Sequence, residues 1–194
     1  METINGNLIF IGLMGAGKTT LGKRLAQKLN RRFIDTDQII VNNSGVDIPL
    51  IFEREGEAGF RQREKKALQE AVSIPDKAVI ACGGGIVLLS ENRSLIMQQE
   101  LTIFLDISPE QQYQRVVNDR NRPLAQGENL LEKLQTMRDE RLGLYEALAD
   151  LRIETDNSAF IISFRRMFKH INEALKKKTS NTQQIKTGQW TKQT

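Results

Sequence analysis

Cysteine and histidine are nearly missing from this chain of 194 residues; each occurs once, as Cys82 and His170. A single thiol forms no intramolecular disulfide and a single imidazole supplies no multi-histidine metal site. Disulfide scaffolds, zinc ribbons and zinc hydrolases are thereby excluded. Long apolar runs are missing as well. The longest are short stretches such as Leu8–Ile11 and Val79–Cys82, well under the roughly 18–20 residues that a membrane-spanning helix needs. The N-terminal METINGNL has neither the basic start nor the apolar segment of a secretory leader. A soluble, cytoplasmic protein with no membrane partner is the expectation.

Acid is missing from one end. The formal net charge is +4 and the pI is near 9.3, values that would suggest a nucleic-acid partner if spread over the whole chain. Residues 176–194, however, hold five of the 28 basic side chains (lysines 176, 177, 178, 186 and 192) and none of the 24 acids. Residues 1–175 keep 23 basic against 24 acidic side chains, a net of −1, so no nucleic-acid partner is expected. The tail KKKTSNTQQIKTGQWTKQT offers only Ile185 and Trp190 as large apolar residues. Its expected state is disorder, because so little apolar area cannot offset the entropy of ordering it; a docking peptide anchored by Trp190 is the other reading. The whole chain is 39% hydrophobic and 27% charged, enough for a proper core, and residues 1–175 suit one α/β domain.

Short β-branched and aromatic runs alternate with amphipathic stretches. Strands are expected at Leu8–Ile11, Arg32–Asp35, Ala78–Cys82, Leu101–Asp106 and Leu151–Thr155. Helical periodicity occupies 18–29, where Leu21, Leu25 and Leu29 repeat every fourth position, and 57–72, 128–148 and 158–177. Ser108-Pro109-Glu110-Gln111 reads as an N-cap, a first-turn proline and a capping-box glutamine, opening a helix to about Asn118. Five strands alternating with helices predict a parallel sheet covered on both faces. The polar, Gly/Pro-punctuated stretch 118–129 is expected to be a mobile loop.

Gly12-Leu13-Met14-Gly15-Ala16-Gly17-Lys18-Thr19 satisfies G-x-x-x-x-G-K-[ST] between a strand and a leucine-periodic helix. Glycines let successive N–H groups turn inward on phosphate oxygens, and the helix dipole adds to that field. Lys18 supplies a point charge to the terminal phosphates and the Thr19 hydroxyl is placed for Mg²⁺. A dinucleotide fingerprint fails on spacing, since Gly15-Ala16-Gly17 would need glycine where Thr20 stands. A nucleoside triphosphate is the expected ligand.

Asp35 and Asp37 stand two apart at the end of the second strand, which by strand alternation sends both carboxylates to one side at the ligand edge of the sheet. One would hold the metal through water and the other accept a hydroxyl proton; an ordinary helix cap is the plainer reading. Gly83-Gly84-Gly85 follows the third strand, and a ligand lying close to bare backbone explains three glycines better than a flexible turn. Cys82 beside it reads as a small buried thiol. Arg61, Arg122 and Arg141 taken singly read as solvated or salt-bridged residues.

GLMGAGKTT, FIDTD, GEAGFRQRE, CGGG, RPL and RxxLYEALAD occur in that order, and the set resembles the shikimate kinases from about Asn7 to Asn157 and on to Leu175. The resemblance implies a nucleoside-monophosphate-kinase-like P-loop fold with sheet order 2-3-1-4-5, a mobile lid and usually a monomeric state. It implies transfer of the ATP γ-phosphate to the 3-hydroxyl of shikimate, on the route to chorismate and aromatic amino acids. Gly15, Ala16, Gly17, Lys18, Thr19 and Thr20 would hold ATP phosphates, with Thr19 on Mg²⁺ and Asp35 in its outer shell. Asp37 would bind the shikimate hydroxyls and act as base or orienting group. Arg61 and Arg141 would clamp the carboxylate, and Gly83, Gly84 and Gly85 would lend backbone donors. Arg122 would enter with the lid, Arg115 would pack on the adenine, and Asn157 would lie in the adenine loop. The chain departs from the family pattern at Ala125 after RPL, at Gly143 in place of a proline and at Cys82 in place of a threonine. Two rivals remain at this level. A P-loop kinase for a nucleoside monophosphate or gluconate would share the ATP half without needing the arginine pair, and a catalytically silent ATP-binding protein would use the tail on an acidic partner.

Overall fold

The computed structural model describes residues 6–117, 129–156 and 159–188, with side chains in the last stretch as far as Lys178. Five strands are separated by seven helices along these residues. The strands are β1 (Leu8–Ile11), β2 (Arg32–Asp35), β3 (Ala78–Ala81), β4 (Leu101–Asp106) and β5 (Leu151–Glu154). The helices are α1 (Lys18–Leu29), α2 (Thr36–Ser44), α3 (Ile48–Ser73), α4 (Ser90–Met97), α5 (Pro109–Val116), α6 (Leu130–Leu148) and α7 (Phe160–Gly188).

All strand pairs are parallel and the order is β2-β3-β1-β4-β5. The three inner strands read LIFI, AVIA and LTIFLD and are buried at every residue, as a sheet covered on both faces requires. The edge strands, RFID and LRIE, mix apolar with charged residues and are partly exposed. β1 is central, with Ile9 paired to Ile80 on one side and Thr102 on the other. From β3 the chain crosses to β4 beyond β1, so the crevice at the carboxyl end of β1 is where ligands bind in such sheets. Phe10, Leu25, Ile80 and Phe104 are among the side chains closing the core around it, each contributing about 1.5–3 kcal/mol on burial.

Every expected strand is present within one residue. The helix expected from Ser108 is α5, with Ser108 Oγ accepting from Gln111 N at 3.3 Å. Three differences have local causes. α2 was not expected, because Asp35 reads equally as a strand end and as the cap it also is, accepting from Asp37 N at 3.1 Å. α3 begins at Ile48 behind an Asp47 cap rather than at 57, and breaks helical geometry at Gly56 (φ 65°), just before the periodic segment starts. α4 is short and polar, and buries only Asn92 and Ile96. The last helix continues through 176–188, where the sequence suggested a disordered tail. Lys178 there pairs with Asp150 at 2.8 Å and donates to Glu100 O at 2.7 Å. Most of the expected lid, 118–128, lies outside the described residues.

Candidate active site

The P-loop leaves β1 and closes on α1. Gly12, Gly15 and Gly17 adopt φ of 137°, 77° and 93°, which L side chains rarely reach, so the loop's curl depends on these three glycines. Lys18 is buried and folded over the loop, donating to Gly12 O at 2.7 Å and Leu13 O at 2.8 Å. Its ammonium is therefore held at the loop that phosphates would occupy. The helix that starts at Lys18 directs its positive end into the same space. Thr20 follows on the first turn of α1.

Thr19 Oγ1 donates to Asp35 Oδ2 at 2.8 Å, joining the P-loop to the end of β2. Strand alternation is not what brings Asp35 and Asp37 together, since Asp37 already belongs to α2. Asp35 serves as helix cap and as Thr19's acceptor at once. Thr36, between them, accepts from Gly83 N at 3.0 Å, and this bond brings the start of α2 against the triple glycine.

The triple glycine has a different basis from the one expected. A Cβ on Gly83 would lie 2.6 Å from Glu64 Oε1 and 2.7 Å from Asp37 Oδ1, and a Cβ on Gly85 would lie 1.8 Å from Arg61 Nη1. Protein side chains, rather than a ligand, fill the space that these two glycines leave open. Gly84 would meet only ordinary contact, 3.4 Å from Met14 N. Its carbonyl accepts from Arg141 Nη1 at 3.3 Å and from the Tyr145 hydroxyl.

Arg61 and Arg141 are both buried beside these glycines, one from α3 and the other from α6. Arg61 donates through Nη1 to Glu64 at 2.5 Å and through Nη2 to Glu57 at 2.6 Å. Burial opposes its charge, but the two carboxylates outweigh burial and raise its pKa. Among the described residues, Arg141 Nε and Glu64 Oε1 are buried with no hydrogen-bond partner. Desolvation pushes the Glu64 carboxyl up to about 7; Asp37 adds to the rise, while Arg61 and Arg141 oppose it. Glu64, Glu57 and Tyr145 were not singled out from the sequence, although the i,i+3 and i,i+4 spacing of both acids around Arg61 is visible there.

α6 is itself fixed by Arg138, one turn before Arg141. It chelates Asp106 at the end of β4 and donates to Ile107 O at 2.7 Å. Asp106 also receives Arg152 at 2.6 Å. Burial works against the Asp106 carboxylate, but the two guanidiniums prevail and hold it below its usual range. Arg115 donates to Gly15 O at 3.0 Å and to Asp156 O at 2.6 Å, bridging the P-loop to the segment after β5. Arg122 and Asn157 lie outside the described residues. Cys82 is buried under the site, and burial pushes its thiol pKa up, away from reactivity. No described helix is long and apolar enough to cross a membrane.

The structure thus gathers Lys18, Thr19, Asp35, Asp37, Arg61, Gly83 to Gly85 and Arg141 at one edge of the sheet. Known proteins match over nearly the whole chain. The family model described as shikimate kinase covers residues 14–176. A shikimate kinase of Psychrobacter sp. (strain PRwf-1) is 43% identical over 176 residues, spanning 91% of this chain and 95% of the relative. One from Neisseria meningitidis serogroup C (strain 053442) is 46% identical over 157 residues, spanning 81% of this chain and 92% of the relative. The solved structure of shikimate kinase from Acinetobacter baumannii in complex with shikimate superposes with a TM-score of 0.83 at 40% identity, covering 87% of this chain and 93% of that one. The Aquifex aeolicus shikimate kinase structure gives a TM-score of 0.74 at 29% identity, covering 89% and 98%. By sequence and by fold, the chain belongs to the shikimate kinase family.

Proposed function

We propose that this enzyme transfers the ATP γ-phosphate to the 3-hydroxyl of shikimate through the residues just described, acting as a cytoplasmic monomer. The observation that carries the acceptor assignment is the convergence of two buried guanidiniums, Arg61 and Arg141, on the glycines beside the P-loop, with Arg141 Nε still open. Two planar cations from different helices suit an anionic group such as a carboxylate, which a neutral sugar lacks.

Phosphoryl transfer asks a protein mainly for positioning and charge neutralisation. Gly15, Ala16, Gly17, Thr19 and Thr20 would present backbone N–H groups to the phosphates. Lys18 would exchange its two loop carbonyls for phosphate oxygens. The donor set near Thr19 is oxygen only, its hydroxyl and the Asp35 carboxylate. Among the described residues no group of three or more His, Cys, Asp or Glu could cage a metal. That fits Mg²⁺, which completes its shell with phosphate and water oxygens and would supply charge neutralisation. Asp37, opposite Gly83, would orient the acceptor hydroxyl and take its proton. Gly84 and Gly85 would offer backbone donors, the Gly83 N–H being given already to Thr36; Arg115 would face the adenine with Asn157, and Arg122 would close over the transferring group.

Glu57 and Glu64 hold the Arg61 guanidinium in place, and Tyr145 and Arg141 hold Gly84. Replacing Arg61 with Ala should raise the acceptor KM by roughly 10- to 150-fold, the equivalent of a charged hydrogen bond worth about 1.5–3 kcal/mol, with the ATP KM unchanged. An unchanged acceptor KM would remove the clamp assignment. Simple cyclohexene carboxylates should compete with the acceptor and not with ATP.

A further inference from the structure

A groove of about 660 Å³ runs between α1 and α7, lined by none of the residues assigned above. Its floor is a row of rings four residues apart on α7. Phe160 stacks on Phe164 at 6.2 Å and Phe164 on Phe168 at 6.0 Å. The row is not sealed; Phe160 is 43% exposed, and beside it Ile161 and Ile162 are 61% and 56% exposed. Cations border it on both sides. From α1, Arg24 lies 5.9 Å from the Phe164 ring and Lys28 lies 5.9 Å from the Phe168 ring. From α7, Arg165 and Lys169 line the other wall. The acid in the lining, Glu173, is 4.0 Å from Lys169.

We propose that this groove is a docking site for an acidic amphipathic helix of another protein. Three features specify that occupant. The rungs repeat at about 6 Å, close to the spacing of i,i+4 side chains along a helix, so a helix can seat one apolar residue per rung. Each cationic wall also repeats at i,i+4, as Arg24 with Lys28 and Arg165 with Lys169, which places a charge opposite each acidic flank of such a helix. The chain's own C-terminal segment is excluded by sign, since residues 176–194 bring five lysines and no acid to a basic groove. A lipid surface is too flat to enter the groove, and a single nucleic-acid strand would leave one cationic wall unused. Cation–π contacts alone, worth about 0.5–1 kcal/mol each at exposed sites, do not explain an exposed Phe160, Ile161 and Ile162 at the end of a row whose other two rings are half-buried.

The test uses the full-length protein and a fluorescein-labelled synthetic helix with leucine along one face and glutamate on both flanks, read by fluorescence anisotropy at low salt. Saturable binding with a micromolar Kd is expected. It should weaken at least about tenfold in the R24E/K28E double variant, and by a similar factor as salt is raised to about 0.5 M. A shuffled peptide of equal composition, without the single apolar face, should bind at least about tenfold more weakly. Both substituted residues are exposed on α1, so the double variant should keep its turnover, and its Tm should fall by only the few degrees that two lost cation–π contacts account for, which separates lost docking from lost folding. Absent saturation, equal binding of the shuffled peptide, undiminished binding to the double variant, or tighter binding of oligothymidylate or phosphatidylglycerol vesicles would each overturn the proposal.

Discussion

Substituting Gly85 with Ala isolates the link between the triple glycine and the acceptor clamp. A methyl there would stand 1.8 Å from Arg61 Nη1, 2.3 Å from Cζ and 2.7 Å from Nη2, so the guanidinium must leave its present position. Those atoms are the end of a side chain, and Gly85 has no positive φ, so the backbone should absorb the change, with a lowered Tm from loss of the buried Arg61–Glu64 pair. The function should not. Displacing Arg61 forfeits a charged hydrogen bond to the acceptor, about 1.5–3 kcal/mol, which corresponds to roughly 10- to 150-fold in kcat/KM for shikimate. The assay is a double-mutant cycle in steady-state kinetics, with Gly85→Ala, Arg61→Ala and both together. If the glycine acts by making room for Arg61, the double variant should resemble Arg61→Ala, with a coupling energy close to the whole effect of Gly85→Ala. Additive losses would refute the reasoning, as would a Gly85→Ala enzyme of normal acceptor KM.

Replacing Lys18 with Met should abolish turnover while leaving a folded protein, since the hydrogen bonds described for the ammonium are those to two loop carbonyls; retained turnover would remove Lys18 from phosphate stabilisation. Glu64, raised from 4.5 to about 7 by burial, should be pushed higher still when an anionic carboxylate joins Arg61. Acceptor binding near pH 7 should then take up a proton and weaken as pH rises, by at most about tenfold per unit; calorimetry in buffers of different ionisation heat measures the uptake, and none would uncouple Glu64 from the site. In the stability profile a folded pKa above the unfolded one contributes fully below about 4.5 and is lost as pH rises through about 7, so Glu64→Gln should flatten the decline in Tm over that window. Tyr145→Phe keeps the ring stacked on Phe104 at 5.0 Å but leaves Gly84 O with Arg141 alone among the described partners, which should cost about 0.5–1.5 kcal/mol, seen as a lower midpoint in urea; an unchanged midpoint would make that hydroxyl bond energetically idle. Chelating divalent ions should stop turnover, and added Mg²⁺ should restore it with the Tm unaffected.

The sheet could be read from the chain almost to the residue because its inner strands, LIFI, AVIA and LTIFLD, are mostly apolar, and runs buried on both faces carry a strong signal. α2 could not, since its opening residue Asp35 serves strand, cap and Thr19 together and each role calls for the same side chain. The P-loop was legible on its own because glycine spacing, Lys18 and Thr19 each answer a separate physical need. The acceptor half was legible only through family resemblance, because nothing in periodicity separates Arg61 or Arg141 from the other basic residues. Glu64 escaped notice because its importance comes from burial between Arg61, Asp37 and Gly83, which adjoin only after α3 packs on the sheet. The triple glycine was recognised for its missing side chains, but its neighbours proved to be the enzyme's own acids and arginine.

Turnover with a panel of acceptors tests the central claim most directly. ADP release from Mg·ATP should be strong with shikimate and near background with gluconate and with each nucleoside monophosphate, and the product should carry phosphate on the 3-hydroxyl. Turnover with a nucleoside monophosphate in place of shikimate would keep the P-loop half of the account and contradict the carboxylate clamp of Arg61 and Arg141, and turnover with gluconate, itself a carboxylate, would keep the clamp and contradict the shikimate assignment.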